Sequence, residues 1–200
     1  MKTKVSVAVI GEGETEWFFI DSLRILRRFP FRVAPDFPSH ADIGHIRKLL
    51  MQYLDAGYDF VVCLIDMDRI NEIVAEKQRF HKIKSEFTTK KYANRVLFLE
   101  TNPCTEFWFL LHFLPSPVIR HYHSQQELIR ELQKYMPGYE KTKRYFIKAN
   151  LQKYLEEHGN LDTAMKNAAT LSKIGVENHD DAMAYSHIHK LFDLLDHVNS

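Results

Sequence analysis

The 200-residue chain is 45% hydrophobic and 26% charged, ordinary globular usage for one large domain or a domain with an appendage. Lys and Arg number 27 against 26 Asp and Glu, so the formal charge is +1, and any nucleic-acid surface has to be local. Seven Gly and seven Pro exclude collagen-like and low-complexity classes, and the two cysteines, Cys63 and Cys104, exclude a disulfide framework or a cysteine zinc site.

Taken in order, Val5–Ile10 reads as a strand buried on both faces and stopped by Gly11. A helix follows over Thr15–Arg28, with Phe19, Leu23 and Leu26 on one face. Phe31–Ala34 is a short strand closed by Pro35, and Ala41–Asp55 is a helix ended by Gly57. Asp59–Ile65 is the second clear strand and runs into Asp66-Met67-Asp68-Arg69. A polar helix over Ile70–Phe87, a strand over Arg95–Leu99 and an apolar helix over Thr105–Phe113 complete the alternation. From about Ser124 strand patterns stop, and helices are predicted at Ser124–Tyr135, Lys143–His158, Leu161–Ile174 and Ala182–Val198. The expected architecture is α/β: a mainly parallel sheet between helices over residues 1–115, with an all-helical extension over 116–200 packed on it. No stretch approaches the ~20 apolar residues that span a bilayer, and no signal sequence is evident. The expectation is a soluble cytoplasmic protein without a membrane partner, in keeping with its cysteine usage.

Ligands of open parallel sheets bind beyond the carboxyl ends of the strands, and all three clear strand exits here carry acids. Glu12 stands between Gly11 and Gly13; Asp66 and Asp68 follow the second strand; Glu100, Asn102 and, one helical turn on, Glu106 follow the third. If the Asp66–Asp68 segment is extended, both side chains leave the same face. Converging carboxylates repel one another and raise their own pKa values unless a cation intervenes. A hard divalent ion held by carboxylates and substrate phosphate is the usual relief, which points to Mg²⁺, or Mn²⁺ in its place.

The glycine loop is no dinucleotide fingerprint: Glu16 stands where its third glycine belongs, and no Walker lysine follows. Glu14 and Glu16 also suit a helix N-terminus simply through the dipole. Glu106 is either a further acid of the site or a helix-start charge. Trp108, Leu110, Leu111 and Phe113 read as core, and His112 as a hydrogen-bonded structural histidine. His121 and His123 lack a third zinc donor. The Tyr139–Lys148 stretch mixes Lys141, Lys143 and Arg144 with aromatic rings. It either tracks a phosphate backbone or forms a solvated helix face over a buried one.

These blocks resemble a known family. GEGETE resembles the E-G-x-T-E signature of Toprim domains of the overcoming-lysogenization-defect nuclease type, and LIDMDR resembles the Toprim D-x-D motif. TNPCTEFWFLLHF is similar to the N-P-C-x-E-x-W-x-L-L-H-F block of RloB-like proteins, and the resemblance covers nearly the whole chain. It implies a Toprim fold around a mainly parallel four-stranded sheet. It also implies Glu12 as acid/base or metal ligand, Asp66 and Asp68 as Mg²⁺ ligands, and Glu16 as the second acid of the first motif. The activity implied is Mg²⁺-dependent cleavage of DNA or RNA in phage defence or beside a restriction-modification locus, often with an ATPase partner. The competing implication is a catalytically silent subunit that binds nucleic acid or the ATPase. The tail departs from the family where His179–Ser186 replaces a small-residue and Pro stretch.

Overall fold

A computed structural model describes residues 5–36, 42–92, 94–178, 180 and 182–199. Ala41, the expected first residue of the second helix, and His179 and Asp181 of the divergent tail segment lie outside the described residues.

The N-terminal strand β1 (Val7–Gly11) leads into α1 (Glu14–Arg27), β2 (Phe31–Ala34) and α2 (Ile43–Asp55). Next come β3 (Phe60–Asp66), α3 (Asp68–Glu72), α4 (Val74–Phe87), β4 (Val96–Asn102) and α5 (Glu106–Leu111). The remainder holds α6 (Gln125–Leu132), α7 (Lys143–Lys148), α8 (Leu151–His158), α9 (Leu161–Asn178), β5 (Tyr185–Ser186) and α10 (His189–Asn199). The fold is α/β, as expected. Five strands run in the order β2-β1-β3-β4-β5, parallel except for β5, which lies antiparallel to β4.

Strand alternation divides the interior into two cores. Val7, Val9, Val62 and Leu64 face one way, onto α1, α5 and the C-terminal helices. Ala8, Ile10, Val61, Cys63 and Ile65 face the other way, onto α2, α3 and α4. Burial on both faces explains why the central strands read as continuous apolar runs rather than as alternating ones. The apolar α5 contributes Phe107, Trp108, Phe109, Leu110 and Leu111 to the first core. It lies inside the protein because helices cover it from the C-terminal side.

Two expected helices are divided and a third is shortened. Ile73, at φ −110° and ψ 108°, separates α3 from α4. Asn71 of α3 donates to Asn102 Oδ1 at 3.2 Å, while α4 packs Phe80, Ile83 and Phe87 on the sheet, so one straight helix cannot serve both partners. The Lys143–His158 helix breaks at extended Ala149, and Asn150 Oδ1 caps α8 by accepting from Lys153 N at 3.1 Å. The last helix begins only at His189, because Tyr185–Ser186 form β5 instead. β5 completes the open side of β4, with Thr101↔Ser186 and Asn102↔Tyr185 in register. The segment expected to be helical throughout thus supplies a sheet strand. Pairing across 85 residues outweighs the local helical spacing.

Candidate metal centre

β1 and β3 are adjacent and parallel, with Gly11 opposite Leu64, so their carboxyl ends open side by side. Gly11 permits α1 to start directly against β1: a Cβ there would lie 2.9 Å from Trp17 N and 3.0 Å from Glu16 Cβ. This tight turn brings Glu16 back over the strand end. Its Oε2 accepts from Gly13 N at 2.8 Å, as in half of a capping box. Its Oε1 is buried and has no hydrogen-bond partner.

Glu12 leaves the end of β1 and accepts from Asp66 N through Oε2 at 3.0 Å. Asp66 ends β3, and its Oδ1 accepts from Thr105 N at 2.8 Å and from Thr105 Oγ1 at 2.9 Å. The extended geometry expected for Asp66–Asp68 does not occur. Met67 turns in the α region, at φ −95° and ψ −9°, because its N–H and that of Asp68 both donate to Pro103 O. Asp68 therefore opens α3, and its Oδ2 faces Gln125 Nε2 at 3.4 Å. It still belongs to the same cavity of about 560 Å³ as Glu12, Glu16, Asp66, Gln125 and Lys141. A neighbouring polar cavity of about 400 Å³ shares Asp68 and Gln125. A cavity of about 620 Å³ lies apart, beside β2, where Arg24 and Arg32 pair with Asp21 and Asp36.

Glu106, at the start of α5, is fully buried at 0% exposure. Its Oε1 accepts from the Tyr139 hydroxyl at 2.9 Å and lies 3.3 Å from Lys141 Nζ, and its Oε2 lies 3.4 Å from the same nitrogen. Its position agrees with both sequence readings: it heads α5, and it lies beside Lys141 and Asp66. Lys141 differs from the expectation. It precedes α7 rather than sitting on its solvated face, and its ammonium points into the acid pocket, 3.9 Å from Asp66 Oδ2. Lys143 and Arg144 are exposed on α7, outside that pocket. Glu14 is exposed in the first turn of α1 and also lines that cavity.

Electrostatics follow from this crowding. Burial, then the Glu16 charge, pushes Glu12 from the ordinary 4.5 up to about 8. Burial raises Glu16, and it raises Asp66 strongly, with the Glu16 charge next in weight. Burial opposes the Lys141 charge, but Glu106, Asp66 and Glu16 outweigh it and hold the amine protonated. Burial likewise lifts the Cys104 thiol well above its usual range. One donor atom each of Asp66, Cys104 and Glu106 lies within 4.8 Å of the others, a grouping able to hold a metal ion.

A divalent cation fits the residues present. The donors are chiefly carboxylate oxygens, as hard ions require, and the buried, unpartnered Glu16 Oε1 is an oxygen in want of a positive partner. The family model described as RloB-like protein matches residues 7–195. The chain belongs to the RloB-like family. No curated protein and no solved structure matches it.

Other residues singled out in the sequence have structural places in this RloB-like chain. His112 Nδ1 lies 3.0 Å from Trp108 O, and burial lowers its pKa to about 4. His121 meets Asp180 at 2.8 Å, while His123 is exposed. Glu100, expected after the third strand, lies within β4 and pairs with Lys84. Sequence reasoning missed Thr105, Tyr139 and Gln125, which orient the acids. Tyr139 and Lys141, two residues apart in the aromatic and basic stretch, were its one visible trace.

Proposed function

We propose that this RloB-like protein is a Mg²⁺-dependent nuclease of Toprim type that hydrolyses phosphodiester bonds of DNA or RNA, with Mn²⁺ able to replace Mg²⁺. The observation that carries the reading is the meeting of Glu12, Glu16, Asp66 and Asp68 in one cavity, with Glu16 Oε1 buried and unpartnered. Glu12, Asp66 and Asp68 are the proposed catalytic residues; they, Glu16 and Glu106 form the proposed metal set. A bound divalent ion supplies Lewis-acid polarisation of the phosphate and of the attacking water. Burial pushes Glu12 up to about 8 in the metal-free protein, which supports it as the proposed group that exchanges a proton at the reacting centre. Thr105 fixes Asp66 through two hydrogen bonds, and Lys141 adds positive charge facing the cavity. Lys143 and Arg144, exposed on α7, are the proposed contacts for backbone phosphates. The family resemblance supports a setting in cytoplasmic phage defence or restriction-modification-associated systems, with an ATPase partner.

The test is incubation of the purified chain with single- and double-stranded DNA and RNA in Mg²⁺ or Mn²⁺. Cleavage that disappears in Asp66→Asn and on chelation is expected; cleavage persisting in Asp66→Asn overturns the assignment. A second reading, a silent subunit that binds nucleic acid or the ATPase, is favoured by Lys141, which partly neutralises the pocket without an ion. Retained complex formation without metal uptake would select it.

A further inference from the structure

The acid pocket adjoins a second cavity of different chemistry. This neighbour holds about 400 Å³, and Asp68 and Gln125 line both. Its other walls come from α3, from the end of β4, from the segment that enters α6 and from Ala182 before β5. These walls are fastened to one another. Asn71 Nδ2 donates to Asn102 Oδ1 at 3.2 Å, and Asn102 Nδ2 donates to Met183 O at 2.8 Å. Ala184 N donates to Arg120 O at 2.8 Å, which ties the segment before α6 to the tail. The Tyr122 hydroxyl donates to Glu131 Oε2 at 2.8 Å. A reciprocal cap then starts α6: Glu127 N donates to Ser124 Oγ at 3.2 Å, and His123 N donates to Glu127 Oε2 at 2.9 Å. Walls pinned in this way leave little ordering for an incoming group to supply.

The lining chemistry selects the occupant. None of the described residues that line this cavity is Lys or Arg, and Asp68 and Glu72 bring negative charge to it. A further phosphate is therefore repelled. What the cavity offers is one exposed carboxylate, Glu72, the amides of Asn71, Gln125 and Gln126, and the ring of Tyr122 beside Pro103. Such a set suits a neutral, planar group that carries hydrogen-bond donors. A carboxylate accepts from an exocyclic amine, and an Asn or Gln amide matches a donor and an acceptor side by side; the paired acceptors of guanine call instead for Arg or Lys. A nucleotide with its phosphate among the acids carries its base one sugar away, and this cavity opens beside those acids.

We propose that the second cavity receives the unstacked nucleobase next to the scissile phosphate, and that it takes a base with an exocyclic amine beside a ring-nitrogen acceptor, adenine or cytosine, in preference to guanine, uracil or thymine. Glu72 accepts from the amine, and Gln126 pairs with the adjoining edge. This inference rests on the nuclease reading above and names the substrate feature it selects. The substrate is then a single-stranded or unpaired stretch, because a paired base has that edge occupied by its complement and cannot leave the stack without cost.

The test uses the full chain in Mn²⁺ with single-stranded oligonucleotides, uracil-only RNA or thymine-only DNA, each carrying one adenine, cytosine or guanine. Mapped cleavage is expected beside adenine or cytosine about 10-fold over cleavage beside guanine or within the uracil or thymine run. Fluorescence anisotropy of the same oligonucleotides with a chelator present is expected to give the same order of binding. Glu72→Lys is expected to turn the preference toward guanine, a reversal that damaged folding would not produce, and Gln126→Ala to flatten it. Cleavage indifferent to the base overturns the inference and leaves the nuclease reading standing. A native preference for guanine, uracil or thymine overturns it as well, as does a preference that neither variant moves. Where no oligonucleotide is cut in Mg²⁺ or Mn²⁺ the nuclease reading falls, and binding decides the cavity: the expected order upholds it, and indifferent or absent binding overturns it.

Discussion

Glu100 and Glu106 stand six residues apart, and each is a buried glutamate meeting one lysine and one tyrosine hydroxyl. Glu100 in β4 meets Lys84 and Tyr185; Glu106 at the head of α5 meets Lys141 and Tyr139. The difference lies in what else shares the cation. Lys141 also faces Asp66 and Glu16, with Glu12 and Asp68 in the same cavity. At Glu100, charge and countercharge are matched. Around Glu106 the acids outnumber the cations Lys141 and Arg69 of the same cavity, and Glu16 Oε1 is left buried without a hydrogen-bond partner. A stable fold has no use for such an imbalance by itself, whereas a cation-binding site requires it.

Four measurements test the contrast between the two glutamates. The largest effect is expected for Asp66→Asn, which removes one charge from the crowded site. Nuclease activity should fall by more than ~100-fold, beyond what outer-sphere changes cost, while thermal unfolding shows the metal-free protein still folded. Glu100→Gln should leave activity within a few-fold of native in the same assay.

Next come the two lysines. Lys141→Met leaves several buried carboxylates uncompensated and should cost ~3 kcal/mol in denaturant unfolding at pH 8 without metal. Mn²⁺ should restore much of that loss. Lys84→Met should cost about 1 kcal/mol or less, because the Lys84 side chain is 40% exposed and solvent screens the pair. Equal losses at the two positions would break the comparison.

A third effect is pH dependence. Glu12 is raised in the folded state, so its contribution to metal-free stability is full below about 4.5 and is lost as pH rises through about 8. An incoming ion must displace that proton, so metal affinity should rise across the same window. Calorimetry in buffers of different ionisation enthalpy should register proton release near pH 7. In Glu12→Gln both slopes should flatten, whereas Glu100→Gln should leave them unchanged.

The smallest effect concerns the exposed cations of α7. Lys143→Ala and Arg144→Ala should each weaken nucleic-acid binding uniformly across sequences and reduce the salt slope by about 1, read from fluorescence anisotropy at several salt concentrations.

The N-terminal half of the sheet was legible in the sequence because its strands are buried on both faces, and continuous apolar runs such as Val61–Ile65 identify them. The acids Glu12, Asp66 and Asp68 were legible because they follow those strands directly. β5 was not, since two residues gain strand geometry only from the open edge of β4. The position of Lys141 was not legible either, because nothing local distinguishes a lysine beside a solvated helix from one whose ammonium turns inward.

By itself, then, the amino-acid order determined which segments become central strands and which acids stand at their ends, since burial pattern and chain adjacency are local properties. Only tertiary structure decided which of those acids share a cation. It turned Asp68 into a helix, drew Glu106 and Tyr139 together across 33 residues and aimed Lys141 at both Glu106 and Asp66. Charge compensation depends on distances through space, and those distances exist only once the helices have closed over the sheet.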